Sequence, residues 1–223
     1  MKPDVRRPAM LAALRLTVRG GLAGVWARGQ LPAGPVVWAA NHHSWWDPFI
    51  AGALVTGAGR PMILLADPAN VRRYRFARGA GVVGTDELRT ALAALRRGAV
   101  LVVYPEGRML PPGRTGPLAP GAAWCAGRAP ARLCSVAVRV LLRGGQYPEA
   151  YVVFSEVGAD GRPADVTARL HERLGEDLAG VDRLAAQADP RRPLPGFTRV
   201  TAGRRSWDER IDFARGLLAW PPH

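Results

Sequence analysis

The segment NHHSWWD, residues 41–47, places a histidine and an aspartate five positions apart. A histidine can take a proton from an alcohol when an acidic partner fixes its tautomer and stabilises its protonated form. His42 and Asp47 have the residue types and the spacing for such a pair, which would activate the hydroxyl group of a substrate without a serine nucleophile. On spacing alone, the alternative is that Asp47 caps a helix and His42 is an ordinary turn residue.

Two predicted elements position this pair. Residues 36–40 form a short apolar run typical of a strand buried on both faces. Asp47 followed by Pro48 is typical of a helix start, with the aspartate as the N-cap and the proline in the first helical position. The four residues between His42 and Asp47 can then curl the imidazole back to the carboxylate. His43 is the competing histidine, but only His42 has this spacing.

A second polar group follows a later apolar run, residues 99–104, in the sequence YPEGR. Glu106 provides a carboxylate, Gly107 a flexible backbone, and Arg108 a guanidinium that can bind a phosphate through two hydrogen bonds. If the run is a strand, these residues lie at the carboxyl edge of a sheet, where open α/β proteins bind ligands. Taken alone, the segment is also compatible with an ordinary turn.

Apolar runs of strand length alternate with helical patterns along the chain of 223 residues, which predicts an α/β fold with a sheet between helices. Further strands are predicted at residues 62–66, 81–83, 133–142 and 151–157, with helices at 86–97 and 163–188 and a last helix beginning near residue 207. The length is sufficient for one domain, or for one domain with a small helical appendage.

The N-terminal segment, residues 1–30, is predicted to be an amphipathic basic helix over about residues 8–28. Its apolar stripe either lies in a membrane interface or packs on the rest of the protein. Residues 31–223 form the main domain, including the C-terminal helices, the last of which is also basic and amphipathic. No segment is apolar and long enough to span a bilayer, and the first residues do not form a secretory signal, so we expect a cytoplasmic location.

Arginine dominates the charge of the chain. The formal net charge is +13, and of the 31 basic residues only Lys2 is a lysine. Such an excess attracts either nucleic acid or anionic lipid head groups, although an arginine bias is also a compositional habit of some genomes.

Cys125 and Cys134 lack the spacing of a metal site and are expected to be buried thiols. Residues 79–84 match GxGxxG, but a basic segment and not a strand precedes them, so no nucleotide cofactor is predicted.

Taken together, NHxxxxDP after one strand and PEGR after a later one resemble the motifs of the glycerolipid acyltransferase superfamily, the PlsC-type lysophosphatidate acyltransferases. The resemblance extends over about residues 36–157. Residues 116–124 are similar to the family segment that ends in a Gly-Ala-Ala helix start, and residues 134–138 are similar to a later family strand. The resemblance implies an α/β fold in which a mixed sheet is flanked by helices.

The resemblance also implies an activity, O-acyl transfer from acyl-CoA or acyl carrier protein to a hydroxyl of a lysophospholipid. His42 would be the general base, and Asp47 would orient it. Glu106, Gly107 and Arg108 would bind the acceptor head group, most plausibly a phosphate. The thioester is a co-substrate, and neither a cofactor nor a metal is implied. Trp45 and Trp46, inside the turn, would line an acyl-chain channel, touch the membrane interface or pack in the core.

Two departures from the family pattern keep other acceptors open. The family sequence is Glu-Gly-Thr-Arg, whereas here Arg108 follows Gly107 directly, and the arginine of the family's middle motif is replaced by Thr85-Asp86. A glycolipid or a carotenoid glycoside is therefore an alternative acceptor. A nucleic-acid-binding protein is a remote alternative, because no basic stripe is interleaved with stacking aromatics. We expect an anionic membrane surface as the partner, with the protein peripheral on the inner face of the cell membrane.

Overall fold

The computed structural model describes residues 6–218, and a single eight-stranded sheet organises them. The strands are β1 (Gly24–Arg28), β2 (Val36–Ala40), β3 (Met62–Ala66), β4 (Val82–Gly84), β5 (Val100–Val103), β6 (Arg132–Leu141), β7 (Glu149–Val157) and β8 (Thr198–Ala202). The helices are α1 (Arg6–Gly21), α2 (Asp47–Gly57), α3 (Pro68–Arg73), α4 (Leu88–Arg96), α5 (Gly121–Arg128), α6 (Pro163–Gln187) and α7 (Trp207–Leu218), with 3₁₀ turns at Arg75–Ala80 and Thr85–Glu87.

The sheet is mixed, with the strand order β4-β3-β5-β2-β6-β7-β1-β8. Strands β2 to β6 run parallel to one another, β7 is antiparallel to β6, β1 is parallel to β7, and β8 is antiparallel to β1. Strand β8 therefore runs in the same direction as β2. We call the edge at which β2 to β6 and β8 end the carboxyl edge. The predicted α/β fold with a mixed sheet and flanking helices is confirmed.

Helices cover both faces of the central strands, which explains their apolar sequences. All five residues of β2 and all four of β5 are buried. Trp38 and its neighbours on one face pack in a core layer with α1 and α2, whereas Val37 and Ala39 pack on the other face against α4 and α5. Leu174 and Leu178 of α6 extend this second layer over β7. A strand buried on both faces lacks the polar alternation of a half-exposed strand.

The N-terminal helix is shorter than the sequence predicts. Helix α1 ends at Gly21, and residues 24–28, which the periodicity placed in the helix, form β1 in the sheet. The prediction is wrong there because Val25 and Trp26 favour a strand, and Trp26 stacks on Tyr151 of the neighbouring β7. Residues 24–28 therefore belong to the sheet and not to a terminal helical segment.

The apolar stripe of α1 packs on the domain over much of its length. Val18 and Leu22 are fully buried, and Leu14 lies against Gly52 of α2. Of the two alternatives for this stripe, a membrane interface or packing on the rest of the protein, these contacts are the second. Leu16 lies off the stripe and is exposed. Residues 1–5 and 219–223, which the sequence assigned to the terminal segments, lie outside the described residues. Between residues 6 and 218, no helix has both the length and the apolar character required to cross a membrane.

Candidate active site

The turn that follows β2 is attached to the neighbouring strand by Asn41. Its side-chain amide donates to the carbonyl oxygen of Val138 at 3.0 Å and accepts from the Val138 N–H at 2.8 Å. Asn41 is fully buried, so its amide replaces the backbone pairing that β2 loses where it ends. The direction in which the chain leaves the sheet is therefore fixed before the histidines are reached.

Asp47 holds the turn from inside. Its Oδ2 accepts the backbone N–H groups of His43 and Ser44, both at 2.9 Å. The sequence predicted Asp47 as the N-cap of α2, but the N-cap is Trp46 and Asp47 is the first helical residue. Its carboxylate turns back to the preceding loop, where unpaired N–H groups and the positive end of the helix favour a negative charge. The side chain is only 1% exposed.

The same oxygen of Asp47 lies 3.0 Å from Nδ1 of His42. Because an ionised carboxylate can only accept, Nδ1 carries the hydrogen, and the lone pair of the neutral ring is on Nε2. The His42 side chain is 23% exposed, whereas its partner is buried. The pairing that the five-residue spacing predicted is thus present in the fold.

Tyr104 supports the other side of the imidazole. Its ring stacks on that of His42, with centroids 4.5 Å apart and planes 26° apart. Burial, with the charge of Asp47 as a second cause, raises the pKa of Tyr104 well above its usual value, so the phenol stays neutral. Among residues 6–218, neither its hydroxyl nor the Oδ1 atom of Asp47 has a hydrogen-bond partner, although both atoms are buried.

Glu106 is part of the framework of the turn. Its Oε2 accepts the backbone N–H of His42 at 2.7 Å, while Oε1 accepts that of Gly116 at 2.9 Å and lies 3.1 Å from Nε2 of His43. The side chain has no exposed surface. Both carboxylate oxygens are therefore bound to N–H groups of the turn after β2 and of the loop after β5.

Gly107 and Arg108 lie outside this framework, and both are exposed. Gly107 has φ +70° and nothing within 4 Å of the position where a Cβ would be, so the backbone conformation is the reason for glycine there. Its N–H donates to the carbonyl oxygen of Tyr104 at 3.0 Å, which closes the turn after β5. Of the three residues predicted to bind the head group, Arg108 is the one that presents a charge to solvent.

His43 points away from His42 and is buried. Its Nε2 faces Glu106, and its Nδ1 lies 2.9 Å from Nη1 of Arg139 on β6. Arg139 is 4% exposed and also binds both carboxylate oxygens of Asp182 on α6. Our sequence reasoning missed Arg139 and Asp182. A signal existed, because Arg139 interrupts an otherwise apolar predicted strand and a buried charge requires a partner.

The potential metal ligands and the two cysteines lie apart from one another or are buried in the described part of the chain. No three His, Cys, Asp or Glu side chains between residues 6 and 218 are grouped so as to hold a metal ion. Cys125 and Cys134 are free and buried, as predicted. Burial raises the pKa of Cys125 to about 11 and that of Cys134 to about 12, so both remain thiols and are poor nucleophiles.

Similarity to known proteins identifies the family to which the chain belongs. The family model described as Acyltransferase matches residues 25–139, just over half of the chain and a range that contains the His42–Asp47 turn and Glu106. The chain therefore belongs to the acyltransferase family, as the resemblance of its motifs predicted, and acyl transfer is its class of reaction.

Among solved structures, the fold is similar to that of the 1-acyl-sn-glycerophosphate (LPA) acyltransferase PlsC from Thermotoga maritima. The TM-score is 0.58 at 18% sequence identity, over 85% of this chain and 86% of that one. The likeness confirms the architecture, a mixed sheet flanked by helices. None of the curated proteins matches the chain.

Proposed function

We propose that the protein transfers a fatty acyl group from acyl-CoA or acyl carrier protein to a hydroxyl of a lysophosphatidate-like lysophospholipid. His42 is the general base. The observation that carries this proposal is the geometry of His42, whose Nδ1 is held by a buried carboxylate while the ring remains 23% exposed at the carboxyl edge. Membership of the acyltransferase family supports the proposal. The similarity of the fold to that of PlsC, a 1-acyl-sn-glycerophosphate acyltransferase, also supports it.

The reaction needs one proton acceptor and no covalent acyl-enzyme. The acceptor hydroxyl gives its proton to Nε2 of His42 while its oxygen forms a bond to the thioester carbonyl carbon. Asp47 stabilises the imidazolium that results. When the tetrahedral intermediate collapses, the carbon–sulfur bond breaks, and the proton on Nε2 passes to the departing thiolate. The products are the ester and the free thiol, and His42 returns to its starting form.

Arg108 is our candidate for the contact with an acceptor phosphate. It is exposed and follows β5 at the same edge of the sheet as His42. A guanidinium binds phosphate through two parallel hydrogen bonds. Since the carboxylate of Glu106 is enclosed by N–H groups, the head-group site depends on fewer charged residues than the motif implies.

A glycolipid or carotenoid-glycoside acceptor is the second candidate, and one observation favours it. Strand β4 ends at the same edge, and the segment after it carries Asp86 and Glu87. Arg78 binds the carboxylate of Glu87 through two hydrogen bonds. Acidic side chains at that position suit a neutral polyol better than a phosphate, because carboxylates accept hydrogen bonds from hydroxyl groups and repel anions.

We further propose an anionic membrane surface as the partner, with the carboxyl edge facing it on the inner side of the cell membrane. Four exposed apolar side chains lie on segments that leave this edge: Trp45, Met109, Leu142 and Trp207. The backbone N–H of Trp207 donates a hydrogen bond to the side-chain oxygen of Gln146, between β6 and β7, and this bond holds Trp207 at the edge. Tryptophan prefers the interface between water and lipid.

Charge supports this orientation. The exposed Arg204 and Arg205, just after β8, stack on the rings of Tyr147 and Phe213 at 4.7 and 4.6 Å, so apolar and basic groups are combined at this edge. A lipid acceptor partly embedded in a membrane could then reach His42 without leaving the bilayer.

The proposed chemistry is tested by acyl transfer in vitro. The purified protein is incubated with an acyl-CoA or acyl carrier protein donor and with lysophosphatidate, a neutral lysolipid or a glycolipid, and the product is identified by mass. We expect a product with lysophosphatidate that is lost in His42→Ala and retained in His171→Ala, which removes an exposed histidine of α6. Undiminished product formation by folded His42→Ala would refute the mechanism, and a product only with the glycolipid would select the second acceptor.

A further inference from the structure

Arg139 is a buried charge that connects three parts of the protein to the catalytic turn. Its guanidinium contacts Nδ1 of His43 at 2.9 Å, the carbonyl oxygen of Gly113 at 2.7 Å, and the two carboxylate oxygens of Asp182 at 2.7 and 2.8 Å. These partners belong to the turn after β2, the loop after β5, and α6. A cavity of about 330 Å³ lies beside this group.

These contacts determine the hydrogen position on His43. A guanidinium has donors and no acceptor, so Nδ1 of His43 must accept from Arg139. The remaining hydrogen of a neutral ring is then on Nε2, which donates to Oε1 of Glu106 at 3.1 Å. His43 therefore adopts the tautomer opposite to that of His42, in which Nδ1 carries the hydrogen.

The same contacts prevent His43 from acting as a base. Both of its ring nitrogens are occupied, and its side chain is 3% exposed. A proton on Nδ1 would break the bond from Arg139 and place two positive groups in contact. The charged groups around His43 are Glu106 after β5, Arg139 on β6, Asp182 on α6 behind the guanidinium, and Asp47 on α2, which accepts the backbone N–H.

We propose that Arg139, anchored by Asp182, is a positioning residue that locks His43 in the neutral Nε2–H form and thereby fixes His42. The connection runs through Glu106: one of its oxygens faces His43 and the other accepts the backbone N–H of His42 at 2.7 Å. The catalytic part of this proposal rests on the proposed role of His42, whereas the tautomer of His43 does not. The two parts can therefore be tested separately.

The first experiment is ¹⁵N NMR of the full chain labelled in histidine, with the signals of the four histidines assigned by the His42→Ala, His171→Ala and His223→Ala variants. We expect the neutral ring of His43 to carry its hydrogen on Nε2, in contrast to His42, whose neutral ring should carry it on Nδ1. A hydrogen on Nδ1 of the neutral His43 ring would overturn the proposal. The measurement needs no activity and no substitution at Arg139, so it decides even if variants at that position do not fold.

The second experiment compares Arg139→Gln with Arg139→Lys and with Arg132→Gln, a matched control on the same strand whose side chain is 56% exposed. We expect Arg139→Gln to lower kcat about 10- to 100-fold, as a small displacement of the base would, with an unchanged KM for the acyl donor. Lysine should restore part of the loss, and the neutral His43 ring should lose its preference for the Nε2–H tautomer in the glutamine variant. Folded Arg139→Gln with wild-type kcat, or with wild-type His43 signals, would contradict the positioning role.

The two proposals fail in different ways. If His42→Ala retains full activity, the proposed base is wrong. The tautomer of His43 is measured in the unaltered protein and is tested independently of that result. If His42→Ala is inactive and the neutral His43 ring of the unaltered protein carries its hydrogen on Nδ1, His42 remains the base and the locking role of Arg139 is wrong.

Discussion

Replacing Asp47 with asparagine isolates the charge of the acidic partner from its shape. An asparagine side chain has the same size, and its oxygen can still accept the N–H groups of His43 and Ser44 that Oδ2 accepts at 2.9 Å. The substitution removes the attraction between the carboxylate and the imidazolium of His42 that forms in the transition state. It therefore tests the chemistry with little change to the framework of the turn.

The expected size of the effect follows from the geometry. Nδ1 and Oδ2 are 3.0 Å apart, with the carboxylate buried and the imidazole largely so. For charge centres about 4 Å apart at an effective dielectric constant of about 20, the interaction is about 4 kcal/mol. Since about 1.4 kcal/mol corresponds to a factor of ten in rate, kcat should fall by about 10³-fold.

The assay is the release of free thiol from acyl-CoA at saturating donor and acceptor, with circular dichroism to show that the variant is folded. Asp67→Asn is the matched control, because Asp67 caps α3 at the same edge of the sheet and asparagine is an equally good cap. We expect this control to retain wild-type kcat. If folded Asp47→Asn keeps kcat within about tenfold of the wild-type value, the carboxylate does not stabilise a charged imidazole, and the reasoning fails.

Four further outcomes follow from individual residues. Glu106→Gln should lower the free energy of unfolding by about 1–3 kcal/mol in urea titrations, because an amide nitrogen would then face an N–H donor. Arg108→Gln should raise KM for a phosphate-bearing acceptor and leave kcat unchanged, and an unaltered KM in steady-state kinetics would favour a neutral acceptor. Trp207→Ser should weaken sedimentation with phosphatidylglycerol vesicles by about tenfold, since a buried aromatic side chain contributes about 1.5 kcal/mol or more, and unchanged sedimentation would exclude α7 from the contact. Burial, with hydrogen bonding to a carboxylate as a second cause, raises the pKa of Tyr151 to about 12, so stability measured by urea should be retained below about pH 10 and fall as the pH rises towards 12.

The strands of the sheet differ in how well their sequences predict them. Strands β2 and β3 have the predicted bounds, and β5 is shorter than predicted by one residue at each end, because continuous apolar runs identify strands that are buried on both faces. Strand β1 was missed because its apolar residues continue the helical spacing of α1. Strand β8 was missed because its sequence, TRVTA, is mostly exposed and carries no periodic apolar signal.

The contacts within the candidate site also differ in how well the sequence predicts them. The contact of His42 with Asp47 spans five positions, so the sequence alone could predict it. The contacts of Glu106 with His42 and of Arg139 with His43 join residues 64 and 96 positions apart, and they depend on the order of the strands. From the sequence, Glu106 was a plausible ligand of the substrate, because nothing local indicates that three N–H groups enclose it.

Two adjacent histidines acquire different chemistry because a strand sends successive side chains to opposite faces of the sheet. His42 leaves β2 towards the face covered by α2, where a carboxylate accepts a hydrogen bond from Nδ1–H and leaves Nε2 without a partner in the described structure. His43 leaves towards α6, where Arg139 and Glu106 occupy both nitrogens. The partners on each face are therefore the reason for proposing His42, and not His43, as the base. For His43 to act in its place, the environments of the two rings would have to be exchanged.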